Sequence, residues 1–340
     1  MEGQTAQLRS GARAHAALVP GAFPIALVVL LGGALGPLGL GLLSENVLAS
    51  LDPAMPVALA ALGVSVGIAI NVRTPRDRRH LAATGIRALV AMGIVAAGAA
   101  VVLPAWGAAL EPEGWFGAAL LAVCAADDPL PVLFGGAALA FLREPAPAAA
   151  ALLLVQVTGV ALVIACAGWL LLSRSAGGTQ RVSVIAMLLL LGGASQYLAL
   201  SALTSGLVAG LFWEAVGGPT RTAIRGDVLY LQRPVVLLIL VVSGARTVLN
   251  PVVVSVGLSY LLLRFAGAMA GSTAARTLVP SWREADGNMF RAPGVVGLAF
   301  ALAATTAIGS DPATLLSIVV IGVAGSQLLE SIVKPAEPVE

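Results

Sequence analysis

The chain has 340 residues, 59% of them hydrophobic and only 11% charged, with a formal net charge of +2 and a mean hydropathy of +0.97. That balance excludes a soluble globular domain, which needs a charged surface around its core, and nothing in it supports nucleic-acid binding. Polar residues fall in short clusters between apolar runs of roughly 18 to 28 residues, the length an α-helix needs to cross hydrocarbon, so a helical integral membrane protein is expected and barrel strands are not.

Residues 1–21 are polar, carry Arg9 and Arg13, and read as a short cytoplasmic tail. Apolar spans follow at 22–43, 54–72, 82–104, 114–142, 147–172, 182–199, 201–217, 229–248, 251–271, 291–308 and 312–333, and residues 334–340 form a second tail. The linkers are too short for a soluble domain, so 22–333 is expected to be one all-α transmembrane domain of 10–12 helices. Abundant Gly and Ala fit helices that pack closely in lipid. Cys124 and Cys166 lie within apolar runs and read as packing residues, and no cofactor or metal is expected. His15 and His80 lie outside the spans, and no nucleophile, base and orienting group recur at a useful spacing, so an enzyme is not expected.

Arg73, Arg76, Arg78 and Arg79 crowd the loop after the second span, whereas Glu111 and Glu113 follow the third, which places the N-terminus in the cytoplasm. Eleven crossings would strand Arg276, Arg283, Arg291 and Lys334 outside. Adding or removing one crossing within 182–217 brings them in, though Arg174 and Arg181 stay on the wrong side. The triplets 82–104, 114–142, 147–172 and 251–271, 291–308, 312–333 then run in opposite directions, an inverted repeat of the kind that builds alternating-access transporters, with 114–142 and 291–308 as the interrupted members.

The interruption is clearest in "CAADDPLPVLF", residues 124–134. Asp128 before Pro129 reads as the N-cap of a helix that restarts in mid-membrane. Such a break is tolerated only where backbone lines a protein-enclosed or watery cavity. An ionisable group at that depth costs about 2.5 to 3.5 kcal/mol or more, so Asp127 and Asp128 are functional candidates. Arg264, isolated in the run 251–271, is their expected charge partner. Arg246 and Asn250 read as interfacial, and Arg225 and Asp227 as solvated linker residues.

"GGALGPLGLGLL", "PVALAALGVSVGIAINVR", "AVCAADDPLPVLF", "ALSALTSGLVAGL" and "LLSIVVIGVAGSQLLESIVKP", in this order, resemble the monovalent cation/proton antiporter superfamily over most of the chain. The resemblance implies a membrane domain of the sodium/proton exchanger kind, multi-pass in the cell membrane, with Arg264 at the place of a buried basic residue. It also exposes a departure. Where the family carries its Asp-Asp or Asn-Asp pair, "LLVQVTGVALV" puts Val157 and Thr158. The function expected is therefore exchange of Na⁺ or K⁺ for protons, with Asp127, Asp128 and Thr158 as ion and proton site and Arg264 as charge partner. The alternative is a homologue that lost transport and serves as a regulatory or structural membrane protein. The expected partners are a monovalent cation, protons, the lipid bilayer and a second copy of the chain in a homodimer.

Overall fold

The computed structural model describes residues 25–70, 75–105, 114–125, 129–144, 146–174, 179–198, 200–216, 219–279, 294–305 and 312–333. They form α1 (Ile25–Leu35), α2 (Glu45–Leu51), a 3-10 turn (Asp52–Ala54), α3 (Met55–Ala69), α4 (Pro75–Ala105), α5 (Gly114–Cys124) and α6 (Pro129–Arg143). Then come α7 (Pro147–Arg174), α8 (Thr179–Tyr197), α9 (Ala202–Val216), α10 (Pro219–Ala245), α11 (Pro251–Leu278), α12 (Val295–Thr305) and α13 (Pro312–Val333). Five stretches, Glu45–Ala69, Ala82–Pro104, Pro147–Ser173, Ile224–Ala245 and Pro251–Leu278, are long and apolar enough to cross a membrane. Shorter apolar helices lie at Ile25–Leu35, Pro131–Phe141, Ala202–Val216, Val295–Thr305 and Ala313–Leu329. α5 and α12 have 11 residues each, about 16 Å of helix, half of what a bilayer requires.

Local sequence sets these boundaries. α1 stops at Leu35, short of the apolar run that ends at residue 43, because the chain turns through Gly36-Pro37 and Gly41, whose φ of 68° suits glycine. α11 opens on Asn250 and Pro251, and the Asn250 side chain accepts a hydrogen bond from the Val253 N–H at 2.7 Å.

Helix directions follow from which backbones touch. α1 and α10 run parallel, with Gly32 against Val241 and Gly36 against Ala245. α3 and α9 repeat this arrangement, with Gly63 against Leu203 and Gly67 against Leu207. α4 and α11 are antiparallel, with Gly98 on Leu263, Gly267 on Ala91 and Gly271 on Arg87. α11 and α13 are parallel, with Gly257 on Ile321 and Gly325 on Leu261.

These contacts expose an inverted repeat in which α1, α3, α4, α5 and α6 correspond to α9, α10, α11, α12 and α13. The packing of α1 on α10 recurs as α9 on α3, α6 on α9 as α13 on α1, and α5 on α6 as α12 on α13. The contacts of α4 with α11 and of α5 with α12 map onto themselves. α7 and α8 join the two halves.

The repeat is thus registered differently from the triplets read in the sequence, and the reason lies in 114–142. Gly135 on α6 returns to pack against Val123 on α5, so this segment dips inward and comes back. α7 then starts on the same side as α2. Its far end lies with the end of α9, where the Trp213 Nε1–H donates to the Ala165 carbonyl at 2.8 Å. One side of the molecule therefore holds the end of α3, the starts of α4, α8 and α10, and the ends of α7, α9 and α11. Arg76, Arg174, Arg181, Arg225 and Arg276 all belong to those ends. The missing crossing falls in 114–142 and not in 182–217, and Arg174 and Arg181 join the other cations. Ile25 and Val333 then both lie on the arginine side.

Candidate functional site

The two half-length helices meet. Gly297 of α12 lies against the carbonyl of Cys124, the last residue of α5, so closely that no side chain fits between them. One turn back, the Leu121 carbonyl accepts a hydrogen bond from the Tyr260 hydroxyl of α11 at 3.2 Å. Tyr260 and Cys124 are fully enclosed, at 1% and 0% exposure. One turn beyond Tyr260 on the same helix, Arg264 is buried at 4% exposure. A helix C-terminus carries the negative end of its dipole, so the end of α5 is a place where positive charge is favoured. Asp127 and Asp128 lie outside the described residues.

Beside this crossing opens a cavity of about 750 Å³. It separates α2, α3, the end of α8 and the start of α9 from α6, α7, α12 and the start of α13. Gly136 on its wall packs against Thr204 on the opposite one, and the neighbouring Gly135 touches Phe300 of α12. The mouth carries Glu45, Asp52 and Arg246. Arg246 is bonded to Asp52 and to the Leu48 carbonyl, which ties the end of α10 to the start of the α2–α3 rod. Nearby, the Val248 N–H donates to Ser317 Oγ at 2.7 Å and holds the α10–α11 link to α13.

Val157 and Thr158 part company. Val157 is buried and lines the cavity. Thr158 is exposed on the outer face of α7, and its hydroxyl donates to the Leu154 carbonyl of its own helix at 2.9 Å. Arg246 lies at the mouth at the end of α10, in keeping with an interfacial position. Asp227 is not a solvated linker residue. It sits within α10 at 13% side-chain exposure and accepts hydrogen bonds from Gln180 Nε2 at 3.0 Å and Arg181 Nε at 3.1 Å. α10 begins ten residues before the apolar run at 229, and α8 supplies partners for its polar first turns. Sequence reasoning missed Tyr260, Gly297 and Glu45. A tyrosine one turn before a buried arginine was the available signal for the first.

Among solved structures, the sodium proton antiporter MjNhaP1 from Methanocaldococcus jannaschii, at pH 8, is similar to this chain at a TM-score of 0.60. The identity is 15%, over 96% of this chain and 98% of that one. The chain has the fold of that antiporter. No family model and no curated protein matches it. The shared antiporter fold, together with five helices long enough to span a bilayer, makes this a multi-pass integral membrane protein.

Proposed function

We propose that the chain is a secondary transporter of the cell membrane that exchanges a monovalent cation for protons by alternating access. The observation that carries this reading is the meeting of α5, α12 and α11 in an antiporter-like fold: a half-helix ends on Gly297 and Tyr260, with buried Arg264 one turn away. Asp127 and Asp128 follow Ala125 and Ala126 in the chain and are the ion and proton carriers in this reading, with Arg264 as their counter-charge. Two adjacent carboxylates repel each other and resist double ionisation, so they act as a unit for which a cation and a proton compete. Thr158 contributes less, because its hydroxyl is committed to Leu154 on the exposed face of α7.

With the arginine-rich side in the cytoplasm, the cavity opens outward, since its mouth is formed by the ends opposite Ala69. Purified protein in vesicles with an acid interior and a trapped pH dye should release protons when a transportable cation is added. Silence toward every cation would favour the second reading, a non-transporting membrane partner, which is supported by apolar Val157 where the related superfamily places a carboxylate pair.

A further inference from the structure

The outward cavity is built more for an apolar molecule than for a bare alkali ion, which must exchange its water shell for several oxygen ligands that aliphatic side chains do not offer. Here aliphatic residues, among them Leu48, Leu59, Leu139, Leu154, Val157 and Leu302, form most of the described lining, beside Gln196, Ser201, Thr204, Thr247 and Thr305. Three of the hydroxyls donate within the protein, Thr204 to Ser201 Oγ at 2.9 Å, Thr247 to the Ser243 carbonyl at 3.0 Å and Thr305 to the Leu302 carbonyl at 2.6 Å, which leaves them no proton to offer an anion. A volume of about 750 Å³ is the size of a pocket for an organic molecule.

The sign of the charge is also fixed. Asp52 and Arg246 cancel each other as an ion pair, and Glu45 is left as the carboxylate of the described wall that has no ion pair among the described residues. The described lining contains no aromatic side chain, so a cation would not be held by ring faces. Its own apolar groups would have to supply the attraction by leaving water.

We propose, building on the exchange reading, that the cation exchanged for protons is a lipophilic organic cation, a quaternary or protonated amine or phosphonium carrying apolar groups. It is taken up in this cavity with its charge toward Glu45, before it competes with protons for the carriers Asp127 and Asp128 of that reading. Its apolar groups lie against Leu154, Val157 and Leu302, down to the wall where Gly136 meets Thr204.

The test uses the full chain. Tetraphenylphosphonium is the probe, measured by equilibrium binding in detergent and by proton release in vesicles, with protein-free vesicles as baseline. The expected result is saturable binding and proton release, with binding at least about tenfold weaker in Leu154→Trp, which pushes an indole into the cavity, and several-fold weaker in Glu45→Gln. Glu45 is exposed at the mouth, so its variant leaves folding intact and keeps the test decisive if Leu154→Trp misfolds. Proton release with Na⁺, K⁺ or Li⁺ but none with tetraphenylphosphonium overturns this inference and leaves the exchange reading standing. Silence toward all four overturns both. Tetraphenylphosphonium transport unchanged in both variants removes the cavity as its seat.

Discussion

Gly206 has room for a hydrogen atom and little more. A methyl group there would press on the Ala60 carbonyl across the α3–α9 contact, and backbone cannot step aside as a side chain can. Gly206→Ala is expected to destabilise the protein by about 1–3 kcal/mol, read as a lower unfolding temperature in detergent. Gly193, with nothing within 4 Å of the position its Cβ would take, is the control: Gly193→Ala should leave the unfolding temperature unchanged or raise it. The carboxylates are tested at the same scale. Asp127→Asn should abolish proton release while folding persists, because the amide keeps shape and removes charge. Asp128→Asn should be milder, since Asn also caps a helix well. Parental exchange rates in Asp127→Asn would take that residue out of the mechanism. Single residues were legible in the sequence where they contradicted their surroundings. Arg264 stood out as a lone cation in an apolar run and is buried. Thr158 was inferred only from its position in a resemblance, and it faces away from the cavity.

Between elements, contacts decide what hydropathy cannot. The segment 114–142 is continuous, apolar and long, and those properties measure length without direction. Gly135 lying against Val123 reverses the segment and changes the register of the whole repeat. The interruption itself was legible, because Asp before Pro is a strong start signal for a helix, and α6 begins at Pro129. The partner of the half-helix was not legible, since nothing local tells Cys124 that Gly297 will meet it. Tyr260→Phe isolates one such contact. It removes the hydroxyl from the Leu121 carbonyl and should cost about 0.5–1.5 kcal/mol of stability while leaving proton release in place. Loss of release with unchanged stability would instead assign the hydroxyl to the transport step.

The whole molecule has a side with arginines and a side with the cavity mouth. Attaching thiols tests that polarity without touching the core. In whole cells, a membrane-impermeant maleimide should spare Arg76→Cys and Ala176→Cys and label Glu144→Cys, with Cys166 replaced to remove background. A segment 114–142 that crossed the membrane would protect Glu144→Cys instead, so labelling at this position decides between an inward hairpin at 114–142 and the crossing read there from hydropathy. The class, the helical architecture and the inverted repeat were accessible from composition and spacing, because lipid forces backbone groups to be satisfied within each helix. The register was not, because it depends on which surfaces touch.

The glycine seams of α1 with α10 and of α3 with α9 have a mechanical consequence. A contact made of side chains is compliant, since rotamers can hop as two helices slide. A contact of backbone on backbone has no such give, and Gly63, Gly67, Gly206, Gly210, Gly32 and Gly244 make these four helices a stiff frame. The softer couplings lie where glycine meets a side chain, at Gly135 on Phe300 and Gly257 on Ile321. Strain applied to the molecule should therefore be absorbed where α6 moves on α12 and α11 on α13, leaving the frame undeformed. Amide hydrogen exchange reads this directly: α3 and α9 should exchange slowest, and equal rates in α6 and α13 would show that the two seams confer no stiffness.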